Sequence, residues 1–276
     1  MDKVRVPHLA LMKERGEKIA VLTAYGFAVA RLLDEAGVPV ILVGDSAGMV
    51  EAGWDTTLPV TLDEMVYHTR SVSRAARRAL VVADMPFMSY QVSIEQARRS
   101  AGRLVKEGGA EAVKIEGGGN AALAIRAVAD TDIPVMGHVG LTPQSIHRMG
   151  GFRVQGVEEA AAERVLDDAR AVEEAGAFAV VVEGVPRELG RRITAALSIP
   201  TIGIGAGPDC DGQVLVVNDM LGLHPPGLRP PRFVKRYAEL GAAVVDAARR
   251  YMEEVADGSF PSDEHCYRAA KAAGPE

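Results

Sequence analysis

Six residues of this chain have the types and placement that acid–base or metal chemistry needs: Asp45, Asp84, Lys114, Glu116, His138 and Glu183. Each lies within or directly after a short apolar run, so each is expected to be part-buried. Four carboxylates gathered at one place repel one another unless a cation is present. Carboxylate oxygens suit Mg²⁺, which takes few protein ligands and leaves positions for water and substrate. A carboxylate pushed up by burial toward the working pH also makes a better general base. Ser46 adds a hydroxyl beside Asp45.

Taken singly, the same residues have plainer readings. Asp45 and Asp84 can cap the helices that follow them. Lys114 can reach solvent, or pair with Glu116, which lies two residues on and points the same way along a strand. His138 can be a satisfied core histidine, and Glu183 an arginine's partner. Gly203 to Gly207 has a GxGxG-like pattern, but no helix signature follows, so it reads as a tight turn or close packing. Cys210 on that loop has no His near it in sequence and is read as inert. The case for a shared site rests on convergence.

Convergence needs elements that bring the six to one end. Eight short apolar runs qualify as strands: 19–23, 38–43, 80–83, 112–115, 133–137, 177–182, 200–204 and 214–217. They are continuous rather than alternating, as strands buried on both faces should be. Between them lie helical stretches at 27–35, 62–79, 93–107, 121–129, 157–175 and 186–197. Thr61 with Glu64 forms a capping box, and Ser93 precedes Gln96 in the same way. Gly108-Gly109 and Gly176 stand where helices end. Eight strands with helical crossovers predict an α/β fold, a (β/α)₈ TIM barrel, whose active site lies at the C-terminal ends of the strands. The 205–213 link is too short for a helix and is the weakest unit; an open doubly wound sheet is the alternative. An extra N-terminal helix over 6–15 can close the barrel's bottom. Pro225 to Pro231 reads as a linker, and 233–255 as a long amphipathic eighth helix. The expected organisation is one barrel domain over 1–260 and a partly disordered tail over 261–276.

Composition narrows the function. The chain has 276 residues, 48% of them hydrophobic and 25% charged, with 31 Lys+Arg against 37 Asp+Glu, a net charge of −6. A mildly acidic chain lacks the electrostatic footprint of a nucleic-acid binder and has no broad attraction to anionic lipid. Two cysteines make no disulfide framework or zinc pattern. No apolar run approaches the roughly 18 residues of a membrane span. The first residues are too charged for a secretory signal. A cytoplasmic protein is expected.

Longer motifs carry a resemblance. Gly44 to Val50, Thr57 to Thr61, Met65 to His68, Ala83 to Tyr90, Val113 to Gly118, Pro134 to Gln144, Gly150 to Gly156, Ile199 to Gln213 and Pro231 to Lys235 stand in order across about residues 5 to 265. This series is similar to the ketopantoate hydroxymethyltransferase family. Ala47, Trp54 and Gly184 depart from its usual Leu, His and Cys.

The resemblance implies a barrel of the phosphoenolpyruvate-mutase-like superfamily. It implies transfer of a one-carbon unit from 5,10-methylenetetrahydrofolate to 3-methyl-2-oxobutanoate, giving 2-dehydropantoate for pantothenate synthesis. It also implies Mg²⁺ and a cytoplasmic homo-oligomer, typically a decamer. Carried over by matching positions, Asp45, Asp84 and Glu116 are metal residues. Asp45, Ser46, Asp84, Lys114 and His138 are substrate-binding, and Glu183 is the catalytic base. Three rivals remain: a metal-independent aldolase with a Schiff base on Lys114, a Mg²⁺-dependent lyase of the same superfamily, and a non-catalytic barrel scaffold. Without the motifs, the residues support a Mg²⁺-dependent barrel enzyme for a small oxo acid.

Overall fold

The computed structural model describes residues 2–224 and 230–268. The chain divides into two compact units, Met1–Val217 with Pro231–Val234, and Asn218–Pro230 with Lys235–Glu276.

The first unit is a closed barrel of eight parallel strands in sequential order, as expected: β1 (Ile19–Thr23), β2 (Val40–Val43), β3 (Leu80–Asp84), β4 (Ala112–Glu116), β5 (Val135–Gly140), β6 (Ala179–Glu183), β7 (Thr201–Ile204) and β8 (Gly212–Leu215). Closure between β1 and β8, with Val21 registered on Val214, excludes the open sheet. Side chains from all eight strands fill the interior, including Val21, Val40, Leu42, Val82, Met136, Val181 and Ile202, all in one buried cluster. Burying each such Val, Leu or Ile side chain contributes about 1.5–3 kcal/mol, so this cluster fixes the frame from which the strand ends project.

Around the strands lie α1 (Val6–Glu14), α2 (Phe27–Glu35), α3 (Ala47–Val50), α4 (Leu62–Ala75), α5 (Ile94–Lys106), α6 (Ala122–Ala129), α7 (Ile146–Met149), α8 (Glu159–Glu174) and α9 (Arg187–Ala196). Helix α1 closes the barrel's bottom, because Leu9 is fully buried in the interior cluster, with Val6 and Met12 packed against it. The Thr61 capping box forms: Glu64 N donates to Thr61 Oγ1 at 3.2 Å, and Thr61 N donates to Glu64 Oε2 at 2.7 Å. Ser93 Oγ accepts from Gln96 N at 3.1 Å. No helix forms between β7 and β8, where the sequence is richest in Gly, Pro and Asp. Gly205 takes φ +61°, and a side chain there would meet the Phe233 ring at 2.9 Å, so this glycine stretch serves close packing.

In the second unit, α10 (Val217–Leu221) begins one residue before its start and α11 covers Leu240–Asp257. The long helix thus starts seven residues later than the expected 233. Residues 225–229, within the expected linker, and 269–276, in the expected tail, lie outside the described residues. Among the described residues, no helix is long and apolar enough to cross a membrane.

Candidate active site

Strand register assembles the site. Asp84 at the end of β3 is the Cα partner of Lys114 on β4. Glu116, two residues on, is the partner of His138 on β5. Gly140, two further along β5, is the partner of Glu183 at the end of β6. Parallel pairing therefore sets these side chains in a row across three strand boundaries, at the end where barrel sites form.

Lys114 is the centre of the row. Its Nζ lies 3.1 Å from Asp84 Oδ1, 3.7 Å from Glu116 Oε1 and 3.1 Å from His138 Nδ1, with all four side chains buried. Burial works to lower the Lys114 pKa, but Asp84, Glu116 and Asp45 outweigh it and hold the ammonium well above its ordinary value. A Schiff-base lysine needs the opposite, a pKa brought down toward neutrality. The contacts of Lys114 with two buried carboxylates, which favour the ammonium, therefore speak against the aldolase rival.

The carboxylates differ. Burial, then the charges of Asp84 and Glu116, hold Asp45 well above the usual carboxylate range. Burial raises Asp84 too, against the pull of Lys114. Burial works to raise Glu116 as well, but Lys114 and His138 outweigh it and keep it low. Asp45 N donates to Asp84 Oδ2 at 3.0 Å. Asp84 Oδ1 accepts no aligned hydrogen bond and has only its ion contact with Lys114.

His138 joins this row to Glu183. Its Nδ1 faces Glu116 Oε1 at 3.5 Å, and its Nε2 faces Glu183 Oε2 at 3.2 Å, as ion contacts without an aligned hydrogen bond. Burial and Lys114 work against protonation of the ring, but the two carboxylates push its pKa up to about 9. Glu183 is the most open of the set, its side chain 16% exposed, which suits a group that must meet a substrate. Ser46 stands at the same mouth, its Oγ 2.8 Å from the Tyr25 hydroxyl.

The structure thus places Asp84, Lys114, Glu116, His138 and Glu183 in one contact chain, with Asp45 attached through its backbone and Ser46 beside it. Cys210 is fully buried and its thiol is pushed up by burial, as an inert cysteine should be.

Gln144 was not singled out from sequence, yet it ties the site together. Its Nε2 donates to Asp45 Oδ2 at 2.9 Å and to Met85 O at 3.0 Å. Its backbone N donates to Glu116 Oε2 at 3.0 Å, and its Oε1 accepts from Tyr90 Oη at 2.7 Å. A side chain with this many buried partners fixes where two carboxylates point. The signal was its place at the end of the long 134–144 motif.

Among the described residues, no three His, Cys, Asp or Glu side chains form a ready-made metal cage. Two adjacent buried carboxylates, both held up by burial and one with an oxygen free of hydrogen bonds, still fit a hard cation that completes its shell elsewhere.

Comparison with known proteins agrees with this architecture. A family model described as ketopantoate hydroxymethyltransferase matches residues 3–263. A 3-methyl-2-oxobutanoate hydroxymethyltransferase of Pelobacter propionicus is 60% identical over 265 residues, covering 96% of this chain and 97% of that protein. One of Geobacter metallireducens is 60% identical over 256 residues, covering 93% and 95%. Among solved structures, a phosphonopyruvate hydrolase in complex with oxalate and Mg²⁺ has TM-score 0.62 at 14% identity, covering 96% of this chain and 92% of that one. A 2,3-dimethylmalate lyase of the PEP mutase/isocitrate lyase superfamily has TM-score 0.62 at 19%, covering 96% and 89%. At such identities the structural likeness speaks for the fold alone, and that fold is the expected barrel. The match along nearly the whole chain settles the lineage: this protein belongs to the ketopantoate hydroxymethyltransferase family.

Proposed function

We propose that the barrel mouth transfers a hydroxymethyl group from 5,10-methylenetetrahydrofolate to 3-methyl-2-oxobutanoate, giving 2-dehydropantoate for pantothenate synthesis. The observation that carries this reading is the contact chain from Asp84 through Lys114, Glu116 and His138 to Glu183 in a member of this family. It sets a carboxylate with some exposure beside a buried, charge-balanced cluster.

The substrate is a 2-oxo acid, and the reaction needs a proton taken from C3, next to the ketone. Asp45 and Asp84 would hold Mg²⁺, with Glu116 at the edge of the ligand set. When bound, Mg²⁺ supplies a Lewis acid for the ketone oxygen. The Lys114 ammonium, kept charged by its carboxylate neighbours, attracts the substrate carboxylate, and the Ser46 hydroxyl is placed to bind it. Glu183 takes the C3 proton on a carboxylate oxygen. His138, 3.2 Å from Glu183 Oε2, holds that carboxylate in position and keeps its own ring in the row of Lys114 and Glu116. The C3 carbon then bonds to the methylene carbon of the folate as one of that carbon's two C–N bonds breaks; water displaces the second nitrogen and supplies the hydroxyl, and the C3 proton and a proton from that water pass to the two nitrogens, so that tetrahydrofolate leaves. The protein works in the cytoplasm as a homo-oligomer, a decamer on the family pattern.

The test is formation of 2-dehydropantoate from both substrates with Mg²⁺, and its loss on adding EDTA. Activity that survives chelation, with borohydride fixing the oxo acid to Lys114, would revive the aldolase. Turnover of other oxo acids in its place would favour a lyase, and no turnover at all a scaffold.

A further inference from the structure

A two-substrate reaction at a barrel mouth needs a second seat beside the first. A polar cavity of about 300 Å³ lies between the ends of β4 and β5, α7 and the first turns of α8. Gly117, the residue after Glu116, and Gly140, the register partner of Glu183, form part of its wall. Gln155 lines it too, and Gln155 N donates to Gly184 O at 2.8 Å, so this segment is tied to the residue after Glu183. The cavity's wall is thus tied through the backbone to the strand end that carries the proposed base, and the residues of the reaction as described do not use it.

Its rim carries two exposed arginines, Arg148 of α7 and Arg164 of α8. Arg164 sits on an acidic helix, yet its acidic neighbours are engaged elsewhere. Glu163 pairs with Arg192, Asp167 pairs with Arg170 at 3.3 Å, and Asp168 Oδ1 accepts from Gly119 N at 2.9 Å. Among the described residues, neither Arg148 nor Arg164 has a carboxylate within the 4.0 Å of an ion pair. Asp168 also lines the cavity, so an anionic ligand is taken by the arginines and not by the cavity as a whole. A planar guanidinium fork matches a carboxylate and binds it through charge-assisted hydrogen bonds.

We infer that this cavity seats the one-carbon carrier, with Arg148 and Arg164 binding the carboxylates of its glutamate tail. The inference rests on the functional reading above, which supplies a carboxylate-bearing co-substrate that must lie next to Glu183.

The test compares the full chain with its R148Q and R164Q variants by calorimetric titration with tetrahydrofolate and with tetrahydropteroate, which lacks the glutamate. The wild type binds tetrahydrofolate more tightly than tetrahydropteroate. Each variant weakens tetrahydrofolate by about tenfold, the worth of one charged hydrogen bond, and leaves tetrahydropteroate where it was. Wild-type protein that binds the two carriers alike, or does not bind tetrahydrofolate, overturns the assignment. So do variants that bind tetrahydrofolate as the wild type does or weaken both carriers equally. Deuterium exchange at C3 of 3-methyl-2-oxobutanoate by the wild type separates the two failures. Exchange with arginine-insensitive carrier binding sinks the cavity alone, whereas no exchange and no carrier binding sink the functional reading with it.

Discussion

His138 Nε2 stands 3.2 Å from Glu183 Oε2, while its Nδ1 stands 3.1 Å from Lys114 Nζ. One imidazole thus links the lysine and carboxylate cluster to the proposed base. Replacing Glu183 by Gln keeps the shape and removes the base. Steady-state kinetics of Glu183→Gln are expected to show kcat lower by about 100- to 10,000-fold, with KM for the oxo acid little changed. A KM effect with kcat intact would take Glu183 out of the base role.

Lys114 is expected to hold the site together as well as to bind. Lys114→Met leaves Asp84 and Glu116 buried beside no ammonium. Removing one partner of a buried ion pair costs about 3–5 kcal/mol. Urea denaturation in EDTA should report a loss of that order. Unchanged stability would mean that the ion cluster does not persist in solution.

Gln144→Leu removes the side-chain donor from Asp45 and the acceptor of Tyr90 Oη. Groups that orient metal ligands are worth about 10- to 100-fold in affinity. Calorimetric titration with Mg²⁺ should find weakening in that range. A variant that binds Mg²⁺ like the wild type would separate Gln144 from the metal residues.

Asp34 predicts an acid-side effect on stability, remote from the chemistry. It is buried at the end of α2, and its Oδ1 accepts from Arg78 N and Ala79 N at 2.8 Å each. Burial works to raise its pKa, but these N–H groups and the Arg78 guanidinium outweigh it and hold it low. A folded pKa below the unfolded one stabilises the protein above the unfolded value, about 3.9. That stabilisation is lost as pH falls through the folded value. Asp34→Asn should therefore cost about 1 kcal/mol at neutral pH. Urea midpoints of variant and wild type should converge in acid; a constant gap would deny the charge its part.

Much of this was legible in the sequence because barrel strands are buried on both faces. Val81-Val82 and Val180-Val181-Val182 can hardly be anything else, and Thr61 with Glu64 announces its own helix. Polar or glycine-bearing strand segments were harder. Strand β5 runs on through His138 to Gly140, beyond the expected 137, because neighbouring strands satisfy its backbone whatever its side chains. Strand β8 starts at Gly212, where a side chain would strike Ile19 O at 2.4 Å. Such close backbone approach leaves no apolar signal. Six carboxylate, lysine and histidine positions were visible because each followed an apolar run. Gln144 was not, since a glutamine reads as surface until Asp45, Glu116 and Tyr90 from distant strand ends are brought around it.

The central claim is that this site removes a proton from C3 of the oxo acid with the help of a divalent cation. Its most direct test follows deuterium entry at C3 of 3-methyl-2-oxobutanoate in D₂O, without folate, in Mg²⁺ and in EDTA. Exchange with Mg²⁺ that stops in EDTA is the predicted result. Exchange that continues in EDTA, or none even after Mg²⁺ and tetrahydrofolate are both supplied, would contradict it.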